Sequence, residues 1–249
     1  MISRKSKEEI KTMTKAGSIA EFALRQLTKE IRAGRTTIEL EKIARRLISA
    51  RGGEPAFLGY NGFPAAICVS TNEELVHGIP SAKKIKEGDV VGIDLGVKYD
   101  GYFADTAKTV FVGKPSGDAL RLIKGTREAL QEAIRAVKPG AKIGDIESVI
   151  GETLKKYDLR PVLALSGHGI GKSIHEKPVI MCDGRQCTGE TIKEGMVFAI
   201  EPMATLGSGE VETSDDGWTV KTKDSSTSAH FEHTVLVTST GSRVLTDRM

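Results

Sequence analysis

The sequence predicts a mixed α/β (α+β) chain that is built from two similar halves. Two amphipathic helical patterns precede a group of short strand-like runs, and the same order of elements then appears a second time. The tetrapeptide Ile-Lys-Glu-Gly occurs at 85–88 and again at 192–195. The same spacing aligns Asp94 with Glu201, two carboxylates that each follow an apolar run. Several landmarks that recur at one spacing indicate an internal duplication.

Chance similarity between two amphipathic segments is the alternative to duplication. Three upstream residues also recur at nearly the same spacing, which argues against chance. These residues are Gly34, Leu40 and Ile43, matched by Gly140, Ile146 and Val149. We therefore expect one domain over residues 1–249, with halves at about 6–112 and 116–240 that pack through their sheets. A functional site would then lie between the halves.

Helix start and stop signals define the beginning of the first half. Ser6 and Thr36 are each followed three residues later by a glutamate, which is the spacing of a capping box. Apolar residues follow each box at steps of three and four. Gly34 ends the first pattern and Gly52-Gly53 ends the second. Two helices are therefore predicted before the first strand.

Strand-like runs follow at 66–70, 89–97 and 103–112. The dipeptide Asp100-Gly101 separates the last two runs and is typical of a tight hairpin turn. These two runs should therefore pair as an antiparallel hairpin.

The second half repeats this order. Helical patterns occupy 118–137 and 143–159, and strand-like runs follow at 196–201 and 231–237. Each half is thus predicted to contain two helices and a set of antiparallel strands.

Composition excludes several classes of protein. Hydrophobic residues make up 39% and charged residues 28% of the chain, a balance that is typical of a globular protein and not of a disordered one. The net charge of +3 is spread along the chain without a basic stripe, so nucleic acid is not the expected partner. The chain lacks both a membrane-spanning apolar run and a signal sequence, which predicts a cytoplasmic protein. Its three cysteines are expected to be reduced thiols.

Four acidic residues occur within or directly after strand-like runs. They are Asp94, Asp105, Glu201 and Glu232. A single one would be interpreted as an exposed residue of an edge strand, because burying an unpaired carboxylate is costly. In the predicted hairpin, however, Asp105 faces Gly96, which makes Asp94 and Asp105 diagonal neighbours about 7 to 8 Å apart at the backbone. Four clustered carboxylates repel one another, and two divalent cations would supply the compensating charge.

A histidine between glycines suggests a further ligand. In Gly167-His168-Gly169, the missing side chains on both sides of His168 leave room for a close backbone approach. A plain tight turn is the alternative. His175, seven residues later, invites a second role in the same segment.

Short motifs spread over nearly the whole chain occur in one order. They are Asn61-Gly62-Phe63-Pro64, His77-Gly78-Ile79-Pro80, the Asp94 and Asp105 segment, Gly167-His168-Gly169-Ile170-Gly171, His175-Glu176, Ile200-Glu201-Pro202-Met203, Gly217-Trp218-Thr219 and Glu232-His233-Thr234. Each motif alone is weak evidence, but the ordered set is specific. The set resembles the type I methionine aminopeptidases, which have the pita-bread fold.

The resemblance implies a dinuclear metal site between the two pseudo-symmetric halves. Its five ligands would be Asp94, Asp105, His168, Glu201 and Glu232. By the same resemblance, Asp105 and Glu232 would bridge both ions, Asp94 would bind one, and His168 with Glu201 would bind the other. The ions would be two divalent metals from the group of Co, Mn, Fe and Zn.

The resemblance also implies the catalytic and substrate-binding residues. Glu201 would accept a proton in catalysis, and His175 and His77 would contact the substrate. The pocket for the methionine side chain would be lined by Tyr60, Phe63, Cys68 and Trp218, for which ordinary core packing is the alternative interpretation. The chain departs from the family pattern at His230, where a glutamine is expected, and at Ile174, where an aromatic residue is common. Both departures bear on the shape of the pocket.

Relatives that share this fold fit less well. Prolidases and aminopeptidase P carry a separate N-terminal domain, for which the residues before the first helix leave no room. Type II methionine aminopeptidases carry a helical insertion, for which the segment between His175 and Glu201 is too short.

The expected function is therefore two-metal hydrolysis that removes the N-terminal methionine from nascent proteins and peptides, with a preference for a small second residue. The partners would be polypeptide N-termini, without a membrane or sequence-specific nucleic acid, and a transient contact with the ribosome is left open. We expect a monomer. The alternative is a non-catalytic pita-bread protein that binds polypeptides or ribosomes.

Overall fold

The helices lie where the capping signals predict them. A computed structural model describes residues 2–247 of the chain. Its helices are α1 (Lys7–Glu30), α2 (Thr37–Ser49), α3 (Gly117–Ala136) and α4 (Ile143–Lys156), with a single 3₁₀ turn at Tyr60–Gly62. The predicted capping box of α1 is present, since Ser6 accepts a hydrogen bond from the Glu9 N–H and the Glu9 carboxylate accepts one from the Ser6 N–H. The helix ends before the expected Gly34, because Ile31 already has extended backbone angles.

The strands are short apart from one long hairpin. They are β1 (Glu54–Pro55), β2 (Cys68–Thr71), β3 (Glu74–Val76), β4 (Val90–Tyr99), β5 (Tyr102–Phe111), β6 (Arg160–Pro161), β7 (Ser166–Gly169), β8 (Glu176–Met181), β9 (Val197–Ile200), β10 (Met203–Thr205), β11 (Val211–Thr213), β12 (Val220–Thr222), β13 (Ser228–His230), β14 (Glu232–Val237) and β15 (Ser242–Val244). The five strands predicted from the sequence are all present, with ends that differ by a few residues.

One large antiparallel sheet joins both parts of the chain. Its strand order is β1-β4-β5-β14-β9-β7-β8, with β2 added beside β4 and β15 beside β14. Two three-stranded sheets, β13-β10-β6 and β11-β12-β3, flank it. Since β5 and β14 are neighbours, the large sheet continues from the first part of the chain into the second.

The β4–β5 hairpin has the predicted register. Asp105 pairs with Gly96, and the turn at Asp100 and Gly101 uses positive φ angles of 46° and 79° at these two residues. Asp and Gly tolerate this left-handed conformation better than other residues. The prediction that Asp94 and Asp105 point to the same face of the hairpin is therefore confirmed.

Two apolar clusters form most of the core. One joins α1 and α2 to β2, β4 and the residues around them, and the other joins α3 and α4 to β8, β9, β10 and β14. Equivalent backbone hydrogen bonds recur in the two parts: Gly34 N–H bonds to the Ile85 carbonyl, and Gly140 N–H bonds to the Ile192 carbonyl. These contacts support duplicated halves at about 6–112 and 116–240, which stay a prediction.

Two expectations from the sequence concern membrane-spanning segments and the state of the cysteines. Within residues 2–247, the helices are too short or too polar to span a bilayer. The three thiols are free: Cys68 and Cys182 are buried, and Cys187 is exposed.

Candidate active site

The five predicted ligands come from five adjacent strands of the large sheet. Asp94 lies on β4, Asp105 on β5, Glu232 on β14 and His168 on β7, while Glu201 directly follows β9. Strand order alone therefore brings residues together that are far apart in the sequence.

Three of these side chains form a tight group. Asp105, His168 and Glu232 each offer one ligand atom, and these atoms lie within 4.8 Å of one another. All three residues are buried. Glu201 joins the group, because its Oε1 lies 3.4 Å from His168 Nε2. Asp94 joins it through Asp105, since the carboxyl groups of these two residues interact closely enough to shift the pKa of each.

Threonine hydroxyl groups link β5 to β14 by hydrogen bonds. Thr106 donates to the Glu232 carbonyl at 3.0 Å, and Thr234 donates to the Asp105 carbonyl at 2.8 Å. The Asp105 N–H in turn donates to the Thr234 hydroxyl at 2.8 Å. Only two residue pairs align directly between these strands, so the hydroxyl bonds fix the positions of the two carboxylates.

The backbone around His168 sets its tautomer. Its Nδ1 lies 2.9 Å from the Gly169 carbonyl oxygen, which can only accept a hydrogen bond, so Nδ1 carries the proton. The lone pair of Nε2 then faces the Glu201 carboxylate. The flanking glycines are needed as predicted, because a Cβ on Gly167 would lie 2.6 Å from the Ala199 carbonyl oxygen and one on Gly169 would lie 2.1 Å from that of Lys177.

Burial raises the pKa of every carboxyl group in the cluster, and repulsion between carboxylates adds to this rise for Asp94, Asp105 and Glu232. The pKa of Glu201 is raised to about 7 and that of Asp105 to about 8, mainly because burial disfavours the charged form. The pKa values of Asp94 and Glu232 lie well above their usual range for the same reason, with a further contribution from the neighbouring carboxylates. Burial also lowers the pKa of His168, so its imidazole is neutral.

Buried atoms without partners indicate that the cluster is suited to a cation. Asp94 Oδ1 and Glu232 Oε1 are buried and have no hydrogen-bond partner within residues 2–247. Carboxylate oxygens and the neutral Nε2 of His168 are all electron-pair donors, and they face one another across short distances. Such a donor set is stable when divalent cations lie between its members. The residues present therefore fit a divalent metal site.

An apolar cavity of about 200 Å³ opens onto the carboxylate cluster. The four predicted pocket residues line it: Tyr60, Phe63, Cys68 and Trp218. The rings of Phe63 and Trp218 meet edge to face at 5.2 Å. Sequence reasoning missed two further lining residues, Phe57 and Asn61. Phe57 lies outside any helix or strand and Asn61 in a single 3₁₀ turn, so no periodic pattern in the sequence marks either residue.

The two predicted non-ligand histidines line the same cavity from the solvent side. His77 and His175 are open to solvent on one side, and partial desolvation of their rings on the side of the cavity lowers the pKa of both. His175 Nδ1 lies 2.9 Å from the Tyr60 hydroxyl. His77 has a positive φ of 59°, a conformation that costs of the order of 1 kcal/mol or more in a residue with a Cβ. Such strain is typical of functional positions.

A second cavity meets the first at the cluster. The two share His77, Asp94, His175 and Glu201. The wall of the second cavity is mainly polar, and its apolar members are Val76, Ala164, Leu165 and Met203.

The two departures from the family pattern have different surroundings. His230 lines the second cavity, and its buried Nε2 lies 3.2 Å from Glu201 Oε2. Burial lowers the pKa of His230 to about 3, so the ring is neutral. Ile174 is buried in an apolar cluster and contacts neither cavity directly, but Phe57 packs on this cluster and lines the first cavity. Ile174 therefore bears on the pocket through Phe57.

Comparisons with known proteins agree on one family. The model of metallopeptidase family M24 matches residues 11–239. The methionine aminopeptidase of Aquifex aeolicus is 45% identical, over 97% of each chain, and methionine aminopeptidase 1 of Bacillus subtilis is 43% identical over 99% of each. The solved structure of the methionine aminopeptidase from Thermotoga maritima superposes with a TM-score of 0.98 at 41% identity and covers 100% of both chains. The prolidase from Pyrococcus furiosus has a TM-score of 0.80 at 30% identity, and 66% of that chain is covered. This chain therefore belongs to metallopeptidase family M24 and, within it, to the methionine aminopeptidases, whose pita-bread fold it shares.

Proposed function

We propose that the protein is a metal-dependent aminopeptidase that removes the N-terminal methionine from nascent proteins and peptides. The observation that carries the proposal is a cluster of buried carboxylates, two of them with unpartnered oxygens, at the base of an apolar cavity. The methionine side chain is apolar and unbranched, so a cavity of this character suits it. The close identity to methionine aminopeptidases supports the same activity.

Two divalent ions would be held by Asp94, Asp105, His168, Glu201 and Glu232. Asp105 and Glu232 occupy the central strands β5 and β14 and would bridge the ions, while Asp94 lies on one side and His168 with Glu201 on the other. Ligands that are mainly oxygen favour Mn(II), Fe(II) or Co(II), with Zn(II) as a further candidate. When bound, the ions would polarise the scissile carbonyl group and lower the pKa of water towards 7.

Glu201 is proposed to move the proton. Its carboxylate lines both cavities beside His168, where it can accept a proton from water and return it to the leaving amine. His230 lies 3.2 Å from Glu201 Oε2 and limits the positions that this oxygen can adopt.

His175 is proposed to bind the substrate carbonyl. Its lowered pKa keeps the ring neutral, and the Tyr60 hydroxyl can donate to Nδ1. The proton of His175 then lies on Nε2, which can donate to the carbonyl oxygen as negative charge develops there. His77 also lines both cavities and would contact the substrate. It comes from the first half of the chain, whereas His175 comes from the second.

The two cavities would bind different parts of the substrate. The methionine side chain would occupy the cavity lined by Tyr60, Phe63, Cys68 and Trp218, and the residue after the scissile bond would enter the second cavity. The proposed preference for a small second residue rests on the family resemblance and not on the size of this cavity. We further propose a cytoplasmic monomer of one domain that acts on polypeptide N-termini, with a transient ribosome contact left open.

The test is release of methionine from a Met-Ala-Ser peptide by the metal-free protein during titration with Mn(II), Fe(II), Co(II) and Zn(II). We expect no turnover after exhaustive chelation and recovery as the metal is added. An N-acetylated Met-Ala-Ser peptide is the matched control and should not be cleaved. Full activity in a verified metal-free sample would refute the metal site. A metal-loaded protein that binds the peptide without cleaving it would support the non-catalytic binding protein instead.

A further inference from the structure

The segment that carries His175 is attached to the first residues of the chain. Residues 170–175 form the loop between β7 and β8, and Glu176 is the first residue of β8. Glu176 Oε1 accepts hydrogen bonds from the Lys172 N–H at 2.8 Å and the Ser173 N–H at 3.2 Å. Its Oε2 accepts hydrogen bonds from the Lys5 ammonium at 2.7 Å and the Ser3 hydroxyl at 2.8 Å. One carboxylate thus links the loop to the N-terminal segment.

The lysine in this link is buried, which is unusual for its residue type. The Lys5 side chain is 5% exposed and that of Glu176 is 19% exposed. Burial alone would raise the pKa of Glu176, but hydrogen bonds from Lys5 and Ser3 outweigh it and leave the pKa below its usual value. Breaking a buried pair by removing one partner leaves an uncompensated charge and is much more damaging than losing an exposed pair.

The surrounding backbone is shaped to hold Lys5. Its N–H donates to the Gly195 carbonyl at 2.7 Å, and the neighbouring Arg4 donates from Nε to the Glu194 carbonyl at 2.7 Å. A Cβ on Gly171 would lie 2.3 Å from Lys5 Cε, so a glycine there gives the lysine its path to Glu176. By contrast, the other ion pair of the loop is weaker. It joins Lys172 Nζ to Glu9 Oε1 at 3.5 Å, and the Lys172 side chain is largely exposed.

We propose that Lys5 is a positioning residue for the reaction, acting through Glu176 and its loop to hold His175 against the substrate carbonyl. The inference rests on the proposed function of His175. Loss of Lys5 would release Glu176, free the two loop N–H groups and let the imidazole move away from its place beside Tyr60. Lys5 contacts none of the five proposed metal ligands, so the metal centre should stay intact.

The test compares Lys5→Met with Arg4→Met, which removes a neighbouring cation that does not contact Glu176. Lys5→Met should lower kcat by about tenfold with little change in KM and unchanged metal content, because a misplaced donor loses most of its transition-state effect. Arg4→Met should leave kcat within about twofold of the parent, as is usual for a surface substitution. Unchanged kcat in Lys5→Met would overturn the proposal.

A double-mutant cycle distinguishes positioning from a general structural role. If Lys5 acts through His175, adding Lys5→Met to His175→Ala should reduce kcat by less than about twofold, since the group it positions is already absent. An equal loss in both backgrounds would overturn the proposal. Should Lys5→Met fail to fold, Glu176→Gln replaces it in the same cycle, because the amide oxygen can still accept from the two loop N–H groups.

Hydrogen exchange tests the contact without any reference to catalysis. Lys5→Met should speed exchange of the Lys172 and Ser173 amides, and Arg4→Met should leave them at the parent rate. Unchanged exchange in Lys5→Met would overturn the positioning role. If the parent protein itself releases no methionine, the proposed function fails, and the exchange result still decides whether Lys5 orders the loop.

Discussion

The metal-free protein should lose stability as the pH rises from 7 to 8. Burial, followed by repulsion from neighbouring carboxylates, raises the native pKa of Asp105 to about 8 and those of Asp94 and Glu232 well above their usual values. In the unfolded chain these groups titrate near pH 4. Between pH 7 and 8 the native state therefore holds protons that the unfolded state has released. The contribution of these carboxyl groups to stability is fully present below their unfolded pKa values and is lost as the pH rises towards the native ones.

The size of the effect follows from the number of retained protons. Each one lowers the free energy of unfolding by about 1.4 kcal/mol per pH unit. With one proton as the minimum, the carboxyl groups alone would lower the melting temperature by about 3 to 6 °C between pH 7 and 8 for a chain of this length. The histidines offset part of this fall without cancelling it. Each of the five has a lowered native pKa, so their effect, a rise of stability with pH, lies mainly below the unfolded value of about 6.5.

The assay is calorimetric unfolding of metal-free and Mn(II)-loaded protein at several pH values between 7 and 8. Bound metal keeps the carboxylates ionised, so the loaded protein should lack the fall. Titration of the metal-free protein with Mn(II) at pH 7, in two buffers of different ionisation enthalpy, should reveal release of at least about one proton. A metal-free melting temperature that is constant or rises over this range would refute the idea that the native cluster retains protons.

Four substitutions and one control test the roles of individual residues. Glu232→Gln keeps the shape of the side chain but removes a charge, so metal affinity and activity should fall together. The control Glu212→Gln, on exposed β11, should change neither. An unchanged metal content and rate in Glu232→Gln would mean that Glu232 is only a strand residue. His168→Ala should lose metal, while His175→Ala should keep it and lose roughly 10² to 10³ in kcat with little change in KM; equal metal loss in both would contradict the division of roles. Trp218→Ala opens the apolar cavity and should raise KM for Met-Ala-Ser more than it lowers kcat, and an unchanged KM would remove Trp218 from the pocket.

Local patterns were enough to predict the elements. Ser6 and Thr36 begin capping boxes because the side-chain and backbone partners lie within one turn of each other. The Asp100-Gly101 turn sets the β4–β5 register in the same way, and with it the common face of Asp94 and Asp105. Element ends were less predictable: α1 stops at Glu30 rather than near Gly34, since the last turn depends on what the following residues contact.

The predicted site residues are brought together, but some of their neighbours were not foreseen. Phe57 and Asn61 line the apolar cavity, and no periodic pattern marks an irregular loop. The proximity of His230 to Glu201 depends on β13 and β9 being close in space, which no local rule specifies. The roles of all these residues in binding and catalysis stay predictions.

The sequence by itself determined the helices, the central hairpin, the class of the fold and the set of acidic residues that needed a cation. These depend on interactions between residues close in the chain, or on residue types that are costly to bury without compensation. Only the tertiary structure decided the order β4-β5-β14-β9-β7, which places the five proposed ligands side by side, and the link from Lys5 to Glu176. Contacts across such sequence separations result from packing of the whole chain, because the free energy of each pairing includes the burial of everything around it.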